Sequence, residues 1–271
     1  MPQIIYISIT SIFYILACTL IIRTLWLARP LGKQGKKALV AALAAGLLFH
    51  AGALYHSLHS DAGLNLALTS AASLVSWTII LLYTLALIRY PIENLGLGIL
   101  PITLVCLVSQ LLWPSLHALP IQNSMAQASH ITVSLLAYAL LSLAAAQSCV
   151  VMVQEYKLRH KHPGGFMHAL PPVQLMEKLM VQLVAIGFVL LTFTVISGLF
   201  FSQEIFGKPF KITHHNLLSI MAWLVYGSFL LGRWRFGWRG KIAIRWVLIG
   251  SALLVLGYLG TKFVVEIVLN R

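Results

Sequence analysis

The chain has 271 residues, 59% of them hydrophobic and only 9% charged, against about 25% charged in a soluble domain. With a mean hydropathy of +0.90, this composition excludes a water-soluble fold and predicts a polytopic membrane protein. The net charge of +13 would suggest nucleic acid in a soluble protein, but in a membrane chain it records loop topology.

Eight stretches are apolar and long enough, at about 1.5 Å per residue, to cross a hydrocarbon core about 30 Å thick. In chain order they are Ile4–Ile22, Ala38–Tyr55, Leu66–Ile88, Leu95–Trp113, Ser129–Val153, Lys178–Phe201, His214–Leu231 and Ile242–Val265. Short breaks rich in Pro, Gly, Asn and basic residues separate them. The predicted fold is all-α, a single membrane domain over 1–271: five spans in 4–153, a basic loop at 154–177 and three spans in 178–265.

Leu16, Ala17 and Cys18 look like the end of a lipoprotein signal, but Met1–Thr10 has no Lys or Arg. The first span is therefore expected to be an uncleaved helix. One set of loops holds Arg23, Arg29, Lys33, Lys36, Lys37, Arg89, Lys157, Arg159, Lys161, Lys178, Arg233, Arg235, Arg239, Lys241 and Arg245, which is 15 of the 19 basic residues. The other set holds Lys208, Lys211, Lys262 and Arg271. The positive-inside rule then places both termini on the outer, periplasmic side, which an even number of spans requires. The run Arg233–Lys241, which interleaves aromatic and basic residues, reads as an interfacial anchor beside anionic lipid rather than a nucleic-acid patch.

Chemistry has few places to sit. The six acids, Asp61, Glu93, Glu155, Glu177, Glu204 and Glu266, all avoid the middle of a span, which leaves little material for a carboxylate proton relay. Hydrolase and nucleotide motifs are missing. Cys18, Cys106 and Cys149 lie within spans without a C-x-x-C pattern; buried thiols are expected, and thiol exchange or covalent haem attachment to this chain is disfavoured.

Histidine is in surplus, with ten copies. His160, His162 and His168 fall on the cytoplasmic side, in a basic run explained by solvation and lipid. His56, His59, His117, His130, His214 and His215 fall at outer span ends or in outer loops, and His50 lies inside the second span. Seven imidazoles thus belong to one half of the membrane, and imidazole is a good axial ligand for iron or copper. His50 reads as a ligand or relay, or as a core histidine bonded to a neighbouring helix. His130 reads as a ligand or an interfacial cap. Of His214 and His215, about 100° apart on a helix, at most one aims at a shared site. His56 and His59, spaced i, i+3, would clip a metal only if the helix reaches His59, and a solvated helix end is the simpler reading; His117, between Pro114 and Pro120, reads as loop. Small residues such as Ala41, Gly46, Ala137, Gly250 and Gly257 let helices pack closely. Trp77, Tyr138, Trp223 and Tyr226 are expected to fill the core or to line a pocket for a flat ligand.

Several segments in order carry a resemblance: His50, Ala51, Gly52, Ala53 and Leu54; Gly63 to Leu66; Ser73 to Trp77; His130 to Val133 with Tyr138; Ala222 to Tyr226; and Gly237 to Gly240. Over nearly its whole length the chain resembles the integral-membrane cytochrome c assembly family (CcsA, CcmC, HemX), and most of all the eight-span branch of YpjD-type inner-membrane proteins. The resemblance implies a multi-pass bacterial inner-membrane location and haem as cofactor. His130 takes the place of the outer histidine that precedes a tryptophan-rich segment, and His50 that of a histidine in an early span, so both are implied iron ligands. The family's W-x-W-D segment is replaced here by Phe206–His215, and Leu231 stands where a later membrane histidine belongs.

The expected function is therefore haem binding or handling in support of cytochrome maturation, without a complete haem-lyase motif and without an enzymatic reaction of its own. His50, His130, His214 and His215 are the cofactor-binding candidates. The expected partners are the lipid bilayer, haem, and cytochrome-maturation or haem-synthesis proteins, with no nucleic acid. Two other classes stay open: a small-molecule or proton-coupled transporter using histidine relays, and a cofactor-free regulatory scaffold.

Overall fold

The computed structural model describes residues 2–26, 31–60, 63–113, 118–119, 125–160, 170–200 and 214–268. Eight helices in it are long and apolar enough to cross a membrane. They are α1 (Pro2–Trp26), α2 (Lys33–Leu58), α3 (Leu68–Arg89), α4 (Gly96–Leu112), α5 (Met125–Arg159), α6 (Val173–Phe200), α7 (His214–Phe236) and α8, which starts at Lys241. After Val255, α8 winds into a π-helical segment Leu256–Gly260, a short α turn Thr261–Phe263 and a second π-helical segment Val264–Val268. Lipid-facing positions keep their apolar character, as at Leu48 and Val105, 75% and 70% exposed. In a bilayer such faces need no polar cover.

The eight spans agree with the sequence expectation; their ends differ. The fifth helix runs 35 residues, about 52 Å at the helical rise, because Gln127, Glu155 and Lys157 continue the winding past the apolar stretch. A second difference is a small antiparallel sheet of β1 (His59–Ser60), β2 (Gly63–Asn65) and β3 (Ala118–Leu119), with His59 opposite Leu64 and Leu64 opposite Leu119. Helix α2 therefore stops at Leu58, and His56 and His59 do not share a helical face. The cysteines depart from the expected burial: Cys18 and Cys106 are half-buried and Cys149 is exposed, all three free. His117, His162, His168, Asp61, Glu204 and the segment Phe206–Thr213 lie outside the described residues.

Two compact units emerge, Met1–Leu119 with Val153–Met176, and Pro120–Met152 with Glu177–Arg271. This grouping puts α1–α4 in the first unit and α7, α8 and all of α6 after its first turn in the second, and divides α5 between them.

In the first unit the helices are fastened by a few interhelical hydrogen bonds. Trp77 Nε1 donates to the Leu47 carbonyl at 3.0 Å, and Tyr83 donates to the Glu93 carbonyl at 2.9 Å. Gly46 provides a notch for Tyr14: a Cβ at Gly46 would meet the Tyr14 ring at 2.4 Å. Both the tyrosine and the glycine are thus needed for the close approach of α1 to α2.

The second unit repeats this device with other residues. Its core comprises Ala137, Leu141, Ala144, Met180, Val184, Leu191 and Phe229 among others. Tyr226, fully buried, packs over Gly250, where a Cβ would meet its ring at 2.7 Å, and bonds Ser251 Oγ at 2.7 Å. Trp223 Nε1 donates to Thr192 Oγ1 at 2.9 Å. Trp77, Trp223 and Tyr226 are thus core residues that also join helices.

Candidate histidine site

His50 sits in α2, fully buried in the first unit. Its Nδ1 lies 3.2 Å from the Tyr14 hydroxyl of α1, and its Nε2 lies 2.9 Å from Ser73 Oγ of α3. Both ring nitrogens are therefore engaged, and one imidazole ties three helices together. A neutral imidazole has one donor and one acceptor, so this arrangement uses its whole hydrogen-bonding capacity. Coordinating a metal would require one of these bonds to be given up.

The histidines of the second unit are arranged differently. His130 lies on the second turn of α5, with Nδ1 2.7 Å from Ser197 Oγ on α6. The Ser197 hydroxyl has a single proton, which it donates to the Thr194 carbonyl at 3.1 Å. In the contact with His130, Ser197 is then the acceptor and Nδ1–H the donor.

His215, on the first turn of α7, points its Nδ1 at the Gly257 carbonyl of α8, 2.9 Å away. A carbonyl only accepts, so Nδ1 again bears the proton. That carbonyl belongs to the π-helical turn, where the Thr261 amide reaches back to the Leu256 carbonyl five residues earlier. Wide turns of this kind recur at functional positions. The ring also lies 5.8 Å from that of Tyr258, itself 6.0 Å from Tyr138.

His130 and His215 belong to the same unit, and the run of rings from His215 through Tyr258 reaches Tyr138 on the helix that carries His130. Each neutral ring, anchored through Nδ1–H, carries its lone pair on Nε2. A histidine that ligates a metal usually has its other nitrogen fixed by a hydrogen bond to an oxygen, which sets tautomer and ring direction. The donor type of this pair fits a haem iron, which accepts imidazole nitrogen. Among the described residues no group of three or more His, Cys, Asp or Glu side chains converges as a metal cage would require.

The remaining candidates fall elsewhere. His214 is exposed, about 100° around the helix from His215. His160 is exposed and bonds the Tyr156 carbonyl of its own helix at 2.8 Å. His56 packs between the Tyr6 and Tyr55 rings. Leu231 is 64% exposed, on an outward face of α7. Ser197 and Tyr258 are not marked by the sequence pattern, and Gly257 is marked by it only as a packing residue. A serine near the end of an apolar helix was the available signal, since polar groups in spans tend to carry function.

Comparison with known proteins follows the same lines. A family model described as "Cytochrome C assembly protein" matches residues 39–269. The inner membrane protein YpjD of Escherichia coli K12 is 31% identical over 243 residues, 88% of this chain and 89% of that one. The cytochrome c biogenesis protein CcsA of Synechococcus sp. CC9605 is 25% identical over 260 residues, 76% of this chain and 86% of its own. Protein HemX of Brevibacillus brevis is 22% identical over 132 residues, covering 49% of this chain and 48% of that one. No solved structure is significantly similar to the chain.

Proposed function

The chain belongs to the cytochrome C assembly protein family, and on that premise we propose that it binds haem in the inner membrane and supports cytochrome maturation, with His130 and His215 as its iron-facing residues. The observation that carries this reading is the shared anchoring of the two rings: each Nδ1 is tied to an oxygen, on Ser197 and on Gly257, the kind of bond that sets tautomer and ring direction in a metal-binding histidine. Haem, when bound, would supply an iron centre that takes imidazole nitrogen, and His130 and His215 would hold it. Ser197 and the Gly257 carbonyl hold the rings, and Tyr138 and Tyr258 supply aromatic surface beside them.

His50 serves this unit-by-unit division as a structural bridge, its ring nitrogens spent on Tyr14 and Ser73. No residue is assigned a bond-forming step; the protein holds haem or presents it, and the two anchored histidines face the outer side of the membrane. Titration of the purified protein with haem should give a Soret band that weakens strongly in His130→Ala and His215→Ala and persists in His214→Ala. A protein that stays colourless throughout the titration sinks the reading.

A further inference from the structure

The turn between α7 and α8 is a fixed piece of backbone. Helix α7 ends in an αL cap: Gly237 N–H bonds the Arg233 carbonyl at 3.1 Å, with Gly237 at φ 67°, a conformation that suits glycine, and Trp238 N–H turns back to the Gly232 carbonyl at 3.5 Å. Gly240, at φ 55°, makes the second left-handed step immediately before α8.

Side chains lock this path. The Trp238 ring lies flat on Gly232, where a Cβ would meet it at 2.4 Å, and stacks on Trp246 with centroids 5.2 Å apart. Arg233 donates to the Trp238 carbonyl at 2.9 Å and pairs with Glu177 of α6. The carboxylate at this end of the unit is thereby neutralised.

What the turn presents outward is cationic and aromatic. Arg235, Arg239, Lys241 and Arg245 are exposed, and among the described residues none of them has a carboxylate partner. Lys241 and Arg245 are one turn apart on α8, on the same face. Trp234 and Phe236 stand out beside them at 83% and 74% exposed, in the manner of aromatic side chains at a membrane–water boundary.

We propose that this locked turn is a binding site for the headgroup of an anionic phospholipid. Four cations on a preset backbone supply charge and donors for phosphate oxygens, basic clusters at span ends are where such headgroups dock, and Trp234 and Phe236 hold the site at headgroup depth. The cations are charge-complementary to phosphate and left unmatched by the protein itself. A generic basic loop attracts anionic lipid through net charge alone, whereas this site depends also on the packing of Trp238.

Native mass spectrometry of the delipidated full chain, with phosphatidylglycerol or phosphatidylcholine added, tests both parts. Wild type should retain phosphatidylglycerol at least about tenfold better than phosphatidylcholine, a gap of about 1.4 kcal/mol. Arg239→Gln/Lys241→Gln should abolish the preference, and so should Trp238→Ala, which keeps every charge. Equal retention of the two lipids by wild type overturns the proposal, as does a preference that survives the double substitution. Displacement of phosphatidylglycerol by millimolar inorganic phosphate assigns the turn to a soluble anion and also overturns it. A Trp238→Ala variant with its preference intact reduces the site to net charge and removes the claim of a built one. The surface double substitution keeps the test decisive if Trp238→Ala fails to fold.

Discussion

His50 in the first unit and His215 in the second are both imidazoles on transmembrane helices, yet their surroundings assign them opposite work. The His50 ring is bonded at both nitrogens, to Tyr14 and to Ser73. The His215 ring is bonded through Nδ1 to a backbone carbonyl, a bond that fixes its direction and leaves the other nitrogen to accept or to coordinate. The number of ring nitrogens consumed within the protein separates the two. A histidine with both nitrogens spent is a rivet, and one anchored at a single nitrogen is a poised ligand.

That contrast is open to attack by substitution, most severely at the anchored pair. His130→Ala or His215→Ala should weaken haem binding by a hundredfold or more, on the order of 3 kcal/mol, in a Soret titration, with unfolding in denaturant nearly unchanged. The contrast breaks if His50→Ala does the same. In its place, His50→Ala should destabilise the fold by about 2 kcal/mol, the sum of a small cavity and two lost interhelical bonds, while the Soret band persists. Ser197→Ala removes the acceptor of the His130 Nδ1 proton and should loosen haem by roughly tenfold, the low end of what losing such an anchor costs. Gly46→Ala and Gly250→Ala, which push a methyl into the Tyr14 and Tyr226 rings, should each cost about 1–3 kcal/mol; equal effects on unfolding with no effect on haem would mark the notches as scaffold in both units. Trp77→Phe should have the smallest effect, about 0.6 kcal/mol for one interhelical hydrogen bond, read as a slight drop in the unfolding midpoint.

The spans were legible in the sequence because a bilayer demands about twenty apolar residues in a row, and that signal is local. Helix ends were less so. Polar residues at the flanks of α5 continue the helix from Met125 to Arg159, and the two- and three-residue strands near Leu64 are too short to leave a period. His130, His214, His215 and His50 were all picked out by residue type. Which ring nitrogens are bonded was not visible, because it depends on partners far along the chain: Tyr14 is 36 positions from His50, Ser197 is 67 from His130, and Gly257 is 42 from His215. The choice of His215 over His214 depends likewise on where α8 passes, which no pattern within α7 encodes.

The wide turn at Leu256–Gly260 amounts to an insertion carried within a helix. Deleting one residue there would return that segment to ordinary winding and carry the Gly257 oxygen that His215 uses off its bearing while His215 itself remained. Two relatives could then match at the histidine and differ in whether it is held. The length of the last helix, counted to a single residue, belongs to the specification of the site as much as the imidazole does.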